Sequence, residues 1–248
     1  MIELIGIHKS FGEKVILDGV DLSAKEGEIH FVIGTSGAGK SVLLKHIVGL
    51  LRPDRGQVLV DGVDVTHFTE KQFYPIRKKC ALVLQHATLF DSMTCEENVS
   101  LPLLKHTDLS EKAALARARS LLEEVGMADY ATALPVRLGD GMRKSVAVAR
   151  ALALEPEYML FDEPTTSLDP LSARRVDALI AELAEKRGVG CIVVSHDLPS
   201  IFGIAHRVTM LYKGKVLASG TQEDLLGSTD PVVGQFIHGK PEGPLETT

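Results

Sequence analysis

Eight consecutive residues, Gly34, Thr35, Ser36, Gly37, Ala38, Gly39, Lys40 and Ser41, restrict this 248-residue chain more than anything else in it. They spell G-x-x-x-x-G-K-S, directly after the apolar run of residues 29–33 and before the helix-like VLLKHIVGL that opens at Val42. Between a strand and a helix this pattern makes a phosphate cradle. The glycines let successive backbone N–H groups turn inward, and the helix presents its positive end to the anion. Lys40 would reach the β and γ phosphates of a nucleotide, and the Ser41 hydroxyl would bind Mg²⁺. A glycine turn with a coincidental Lys-Ser would need both flanks to be accidents.

The rest of the chain supplies the scaffold that such a loop requires. Residues 81–84, 158–161 and 191–194 are further short apolar runs ahead of glycine or polar turns, as expected of parallel strands covered on both faces. Helical stripes separate them. Ser110 can cap a helix carrying Leu115, Ala118, Leu122 and Val125, stopped by Gly126; Val176, Leu179, Ile180 and Leu183 form another stripe, with Gly188 beyond its end. The expected class is α/β, a P-loop NTPase (RecA-like) core. Short β-like pieces such as residues 57–60, closed by Asp61-Gly62, predict an antiparallel β flap before residue 60. The expected division is residues 1–85 and 155–238 for the ATP-binding core with its flap, an inserted helical subdomain at 86–154, and an extended tail at 239–248.

Bulk properties narrow the function classes. A net charge of −6 and a pI near 5.9 argue against a nucleic-acid partner, which wants a basic face. Cys80, Cys95 and Cys191 are scattered with no CxxC pair, and read as reduced, buried thiols. The longest apolar runs are four to six residues, against the roughly 20 needed to span a bilayer. If the chain serves a membrane, it does so through a partner.

A carboxylate pair, Asp162-Glu163, follows the apolar YMLF and precedes Pro164. Acidic residues at a parallel strand's carboxyl end lie where ligands bind in open α/β sheets. Asp162 would hold Mg²⁺ and Glu163 would polarise an attacking water.

Kinases, GTPases, helicases and ABC ATPases share these two motifs, and the intervening segments separate them. Gln85 closes ALVLQ, LGDGM ends twenty residues before Asp162, SLDP follows the carboxylates, and His196 ends CIVVSH. In that order and spacing the chain resembles the nucleotide-binding subunits of ABC transporters over essentially its whole length. The resemblance implies an ATPase that uses ATP and Mg²⁺, with Gln85, Glu163 and His196 as catalytic residues and Ser41, Gln85 and Asp162 around the metal. It places Gly139, Asp140, Gly141 and Asp169 at the junction of two copies that sandwich the nucleotide, and Phe11 against adenine. Taken alone, Phe11 also reads as a plain turn aromatic, and His196 more often as a satisfied core histidine.

Residues 89–107, Met142 and the tail FIHGKPEGPL are similar to the Mla/Mce-type lipid-transport ATPases. This implies a homodimer beneath integral membrane permease subunits, with a lipid-binding MCE-type subunit, at the cytoplasmic face of the inner membrane. Phe90, Met93, Val99, Leu101 and Leu103 would line a groove for the permease, or else simply form core. The alternatives are an ATPase of an amino-acid or other small-solute importer, a soluble nucleotide-dependent switch, and a low-activity scaffold. The family's usual LSGGQ, or LSGGM in this branch, is altered at Gly139 and Asp140. Asp140 either caps the following helix or sets a negative charge beside a partner's phosphate, with Arg143 and Lys144 available to offset it.

Overall fold

The computed structural model describes residues 1–240 and 242–245. A four-stranded antiparallel sheet, in the order β2-β1-β4-β5, is built from β1 (Ile2–Phe11), β2 (Lys14–Ala24), β4 (Arg55–Val60) and β5 (Val63–Asp64). A six-stranded sheet, in the order β10-β9-β3-β8-β7-β6, carries β3 (Ile29–Gly34), β6 (Cys80–Val83), β7 (Tyr158–Asp162), β8 (Gly190–Val194), β9 (Arg207–Tyr212) and β10 (Lys215–Gly220). In the larger sheet β9, β3, β8, β7 and β6 run parallel, and β10 closes the edge antiparallel to β9.

The helices are α1 (Lys40–Ile47), α2 (Glu70–Lys79), α3 (Cys95–His106), α4 (Glu111–Glu124), α5 (Asp140–Leu152), α6 (Pro170–Arg187), α7 (Leu198–Ile204), α8 (Gln222–Leu226) and α9 (Pro231–His238).

The three central strands show why the apolar runs are continuous. Side chains alternate across a strand, so each run feeds two cores at once. Phe31, Met159, Phe161, Cys191 and Val193 pack into the core shared with α3, α4, α5 and α6. Val32, Tyr158, Leu160, Ile192 and Val194 pack on the other face, against the antiparallel sheet, α1 and α2. Full burial of such side chains stabilises by about 1.5–3 kcal/mol each, and this sheet is where the molecule concentrates it.

Between β6 and β7 the chain is helical. Ser110 caps α4 through its side chain, and Gly188 ends α6 in a left-handed conformation, as the sequence predicts. Leu115 and Leu179 lie at the margins of their stripes, only partly buried. Val99 and Leu103 are core residues, 0% and 4% exposed, so they line no groove; Phe90, Met93 and Leu101 remain at least partly accessible. The α3 stripe turns inward because Asn98, fully buried one turn into the helix, stitches the preceding loop to it. Its amide donates to the carbonyls of Phe90, Met93 and Thr94 and accepts from the Phe90 N–H, which fixes the helix rotation.

The tail is not extended where it is described. The buried Gln235 side chain accepts from the Leu245 N–H at 2.7 Å and donates to the Lys240 carbonyl at 3.3 Å, which folds the chain back over α9. Pro241 and residues 246–248 lie outside the described residues.

Candidate active site

The carboxyl ends of β3, β7 and β8 converge on one cavity of about 910 Å³. Gly34 ends β3 with φ +143°, and a Cβ there would stand 2.2 Å from the Leu211 carbonyl oxygen, so only glycine lets the loop leave the strand so close to β9. Gly34, Thr35, Ser36, Gly37, Gly39, Lys40, Ser41 and Val42 line the cavity, while Ala38 is buried behind them. Gly39, at φ +96°, takes the N-cap position of α1, which leaves the first N–H groups of that helix free at the loop.

Lys40 is 8% exposed, and its ammonium donates to the carbonyls of Gly34 at 2.9 Å and Thr35 at 3.1 Å. Burial lowers its pKa, and the charges of Glu163 and Asp162 act in the opposite direction. The Ser41 hydroxyl donates to the buried Asp162 carboxylate at 2.6 Å. Ser41 and Asp162 therefore meet across 121 residues of chain, as a hydroxyl and a carboxylate facing one point.

Glu163 follows at φ +52°, held by its N–H donating to the Val194 carbonyl on β8. Its Oε2 accepts from the Thr166 hydroxyl at 3.0 Å and lies 2.9 Å from Nδ1 of His196. A carboxylate fixed from two sides is oriented before any substrate arrives, which is what activation of a water demands. Gln85 also lines the cavity, but the β6 strand ends at Val83, so Gln85 stands on the following loop and is exposed.

The remaining expected site residues fall outside the lining of this cavity. Phe11, at the end of β1, is 49% exposed with the Lys9 ammonium 5.5 Å from its ring centre, and it is not part of the cavity wall. Lys14 and Ile16 from the adjoining strand take that place, with Gln235, Phe236, Gly239, Lys240 and Leu245 from α9 and the tail. No motif marks these residues; only the folding back of the tail brings them there. Thr166 carried a fainter sign, a hydroxyl three residues beyond Glu163.

Asp140 is not a cap. Gly139 holds the N-cap position without a side-chain bond, Asp140 is the first residue of α5, and its carboxylate pairs with Arg143. Gly141 packs close to Ser172, where a Cβ would come within 3.1 Å. The Lys144 ammonium donates to the Thr166 carbonyl at 2.7 Å. Asp169 caps α6, accepting from the N–H groups of Leu171 and Ser172 at 3.0 Å each, and the Ser172 hydroxyl first, then these backbone bonds, lower its pKa. Among the described residues no helix is long and apolar enough to cross a membrane.

Comparison with known proteins follows the same lines. The family model described as ABC transporter matches residues 17–166. The intermembrane phospholipid transport system ATP-binding protein MlaF of Haemophilus influenzae is 38% identical over 245 residues, 99% of this chain and 93% of its own length. The methionine import ATP-binding protein MetN of Rhizobium johnstonii is 40% identical over 220 residues, 89% of this chain and 60% of its own length. A solved dimeric ATP-binding cassette in a post-hydrolysis state, bound to ADP and phosphate, superimposes with a TM-score of 0.82 at 32% identity, covering 89% of this chain and 98% of that one. A phosphate cradle, a doubly held carboxylate beside it and these similarities together give one conclusion: the chain belongs to the ABC transporter family, as an ATP-binding subunit that hydrolyses ATP.

Proposed function

We propose that two copies of this chain close around two ATP molecules and drive a separate membrane permease that moves phospholipid or another lipid. The observation that carries the lipid reading is coverage. Similarity to the phospholipid-transport relative runs through 99% of the chain, and similarity to the methionine importer through 89%, although the identities are nearly equal. The solved dimeric relative supports the paired arrangement. On this reading the protein sits at the cytoplasmic face of the inner membrane beside a lipid-binding MCE-type subunit. Residues 86–154 work as a helical subdomain within the core of 1–85 and 155–238. Phe90, Met93 and Leu101, near Gln85, meet the permease.

Hydrolysis is an in-line attack of water on the γ-phosphate, achieved by positioning and charge neutralisation. Backbone N–H groups of residues 34–41 and the α1 N-terminus hold the phosphates, and Lys40 exchanges its two carbonyl partners for phosphate oxygens. Glu163, steadied by Thr166 and His196, accepts a hydrogen bond from the attacking water, and His196 faces the γ-phosphate. Gly139, Gly141 and Asp169 contribute from the partner copy. Phe11, at the exposed end of β1, stacks on adenine.

The donor set fits magnesium, since the Ser41 hydroxyl, the Asp162 carboxylate and the Gln85 amide are all hard oxygen ligands. When bound, Mg²⁺ would neutralise phosphate charge.

Replacement of Glu163 by Gln tests the core of this reading. The variant should bind ATP as tightly as the wild type, lose nearly all steady-state hydrolysis, and form an ATP-dependent species of doubled mass in solution. Near-normal turnover would remove Glu163 from its role. The cargo is tested separately, by purifying the chain with the membrane protein that retains it and identifying the lipid carried along; a complex that instead carries methionine would favour the importer reading.

A further inference from the structure

Lys144 lies at the second turn of α5, and only 6% of it is exposed. Its ammonium donates to the Thr166 carbonyl at 2.7 Å and, more weakly, to the Glu163 carbonyl at 3.4 Å. Burial lowers its pKa, and the charges of Asp140 and Glu163 oppose that. A buried cation is kept only where it collects good acceptors, and both acceptors here belong to the turn that follows β7. That turn is strained: Glu163 and Ser167 have φ of +52° and +65°, and neither is a glycine. Such conformations cost about 1–3 kcal/mol each and persist only when their surroundings over-determine them. Within the turn, the Thr166 hydroxyl holds the Glu163 carboxylate at 3.0 Å.

We propose that Lys144 is a positioning residue: it ties α5 to the turn of residues 163–167 and so fixes the orientation of the Glu163 carboxylate in its own protomer. The path has two steps, from ammonium to the Thr166 backbone and from the Thr166 hydroxyl to Oε2 of Glu163. Arg150 anchors the same helix at its other end, donating to the carbonyls of Thr88 and Ala87 just beyond Gln85. Helix α5 therefore grips two of the segments that carry reactive side chains to the cavity, the turn bearing Glu163 and the loop bearing Gln85. The dimer reading proposed above adds a consequence. The first turn of α5 then faces the partner's nucleotide while Lys144 holds the carboxylate of its own site, so one rigid helix links the two sites.

The test uses the full chain with Lys144→Met, which keeps the unbranched apolar stem, one atom shorter, and removes the donor. kcat should fall roughly tenfold or more, the order expected when a reacting group is misplaced. ATP affinity by calorimetry should stay within about twofold, since no phosphate contact is lost. Lys144→Arg, which can still reach both carbonyls, should recover most of the turnover, whereas filling space alone would not separate Met from Arg. Lys144→Gln gives the same readout should the Met variant fail to fold. Unchanged kcat in a folded variant overturns the proposal, as does a loss of ATP affinity that matches the loss of rate. In the Glu163→Gln background, adding Lys144→Met should leave the ATP-induced dimer intact; its disappearance would show that Lys144 acts across the interface. Glu163→Gln alone is the control, because full turnover there breaks the reading of Glu163 itself and not the role of Lys144.

Discussion

At the first residue of α5, one carboxylate decides between opposing effects. Asp140 gains from the positive end of the helix, about 0.3–1 kcal/mol at an exposed position, and its pair with Arg143 is half exposed and adds little. In the proposed dimer the same charge would face a phosphate, costing up to about 4 kcal/mol at 4 Å and an effective dielectric near 20. Arg143 cancels much of that, being already in contact with it. Asp140→Asn should therefore lower stability by less than about 1 kcal/mol in chemical denaturation, while steady-state ATPase activity rises a few-fold. A fall in activity would mean that the Asp140–Arg143 pair shapes the loop usefully. The sequence alone could not place Asp140, because a cap and a first-turn residue differ by one position and Gly139 suits the cap equally. Phe11 shows the reverse case, a residue that only the family resemblance sets against adenine, at a strand end that is itself exposed.

Strands and helices were more legible than single side chains, because burial on both faces leaves a continuous apolar run that no exposed segment would keep. The four runs of the parallel sheet and the stripe of α6 could be read in that way. The sequence left β6 too long, since Leu84 and Gln85 continue the pattern beyond the last paired residue, Val83. It also offered Val99 and Leu103 to a groove, for hydrophobicity is the same on an interface as in a core, and contacts such as those of Asn98 fix which way α3 turns.

The joint between the two sheets is largely apolar, with one buried polar contact at His30. His30 on β3 donates from Nδ1 to the Ser23 carbonyl and accepts at Nε2 from the Thr209 hydroxyl, which requires the neutral ring. Burial pushes its pKa down to about 4. As pH drops from about 6.5, the unfolded chain takes a proton that the folded one refuses, so stability is full above that value and is lost toward pH 4, on the order of 3 kcal/mol. His46, also lowered by burial, acts in the same direction. Urea midpoints at pH 7.5 and 5 should differ less for His30→Gln than for the wild type; equal differences would discharge His30 as the source.

Across the whole molecule, the cavity draws on the antiparallel flap, the parallel core and the folded-back tail, which are far apart in sequence. That is why its loop was legible and its far wall was not: the loop is local, and the wall exists only once Gln235 has closed the tail on α9. The three cysteines span the same architecture, with Cys80 on the edge strand β6, Cys191 on central β8 and Cys95 at the start of α3. Burial pushes the Cys80 and Cys191 thiols up to about 12 and raises that of Cys95 as well, so none is a ready nucleophile while its surroundings stay closed. The protein thus carries its own clock for local opening. In a pulse of a thiol-alkylating reagent read by peptide mass, Cys95 should be modified first, as the helices between β6 and β7 part from the sheet, and Cys191 last, at the rate of global unfolding. Simultaneous labelling of all three would mean that the chain opens only as one unit.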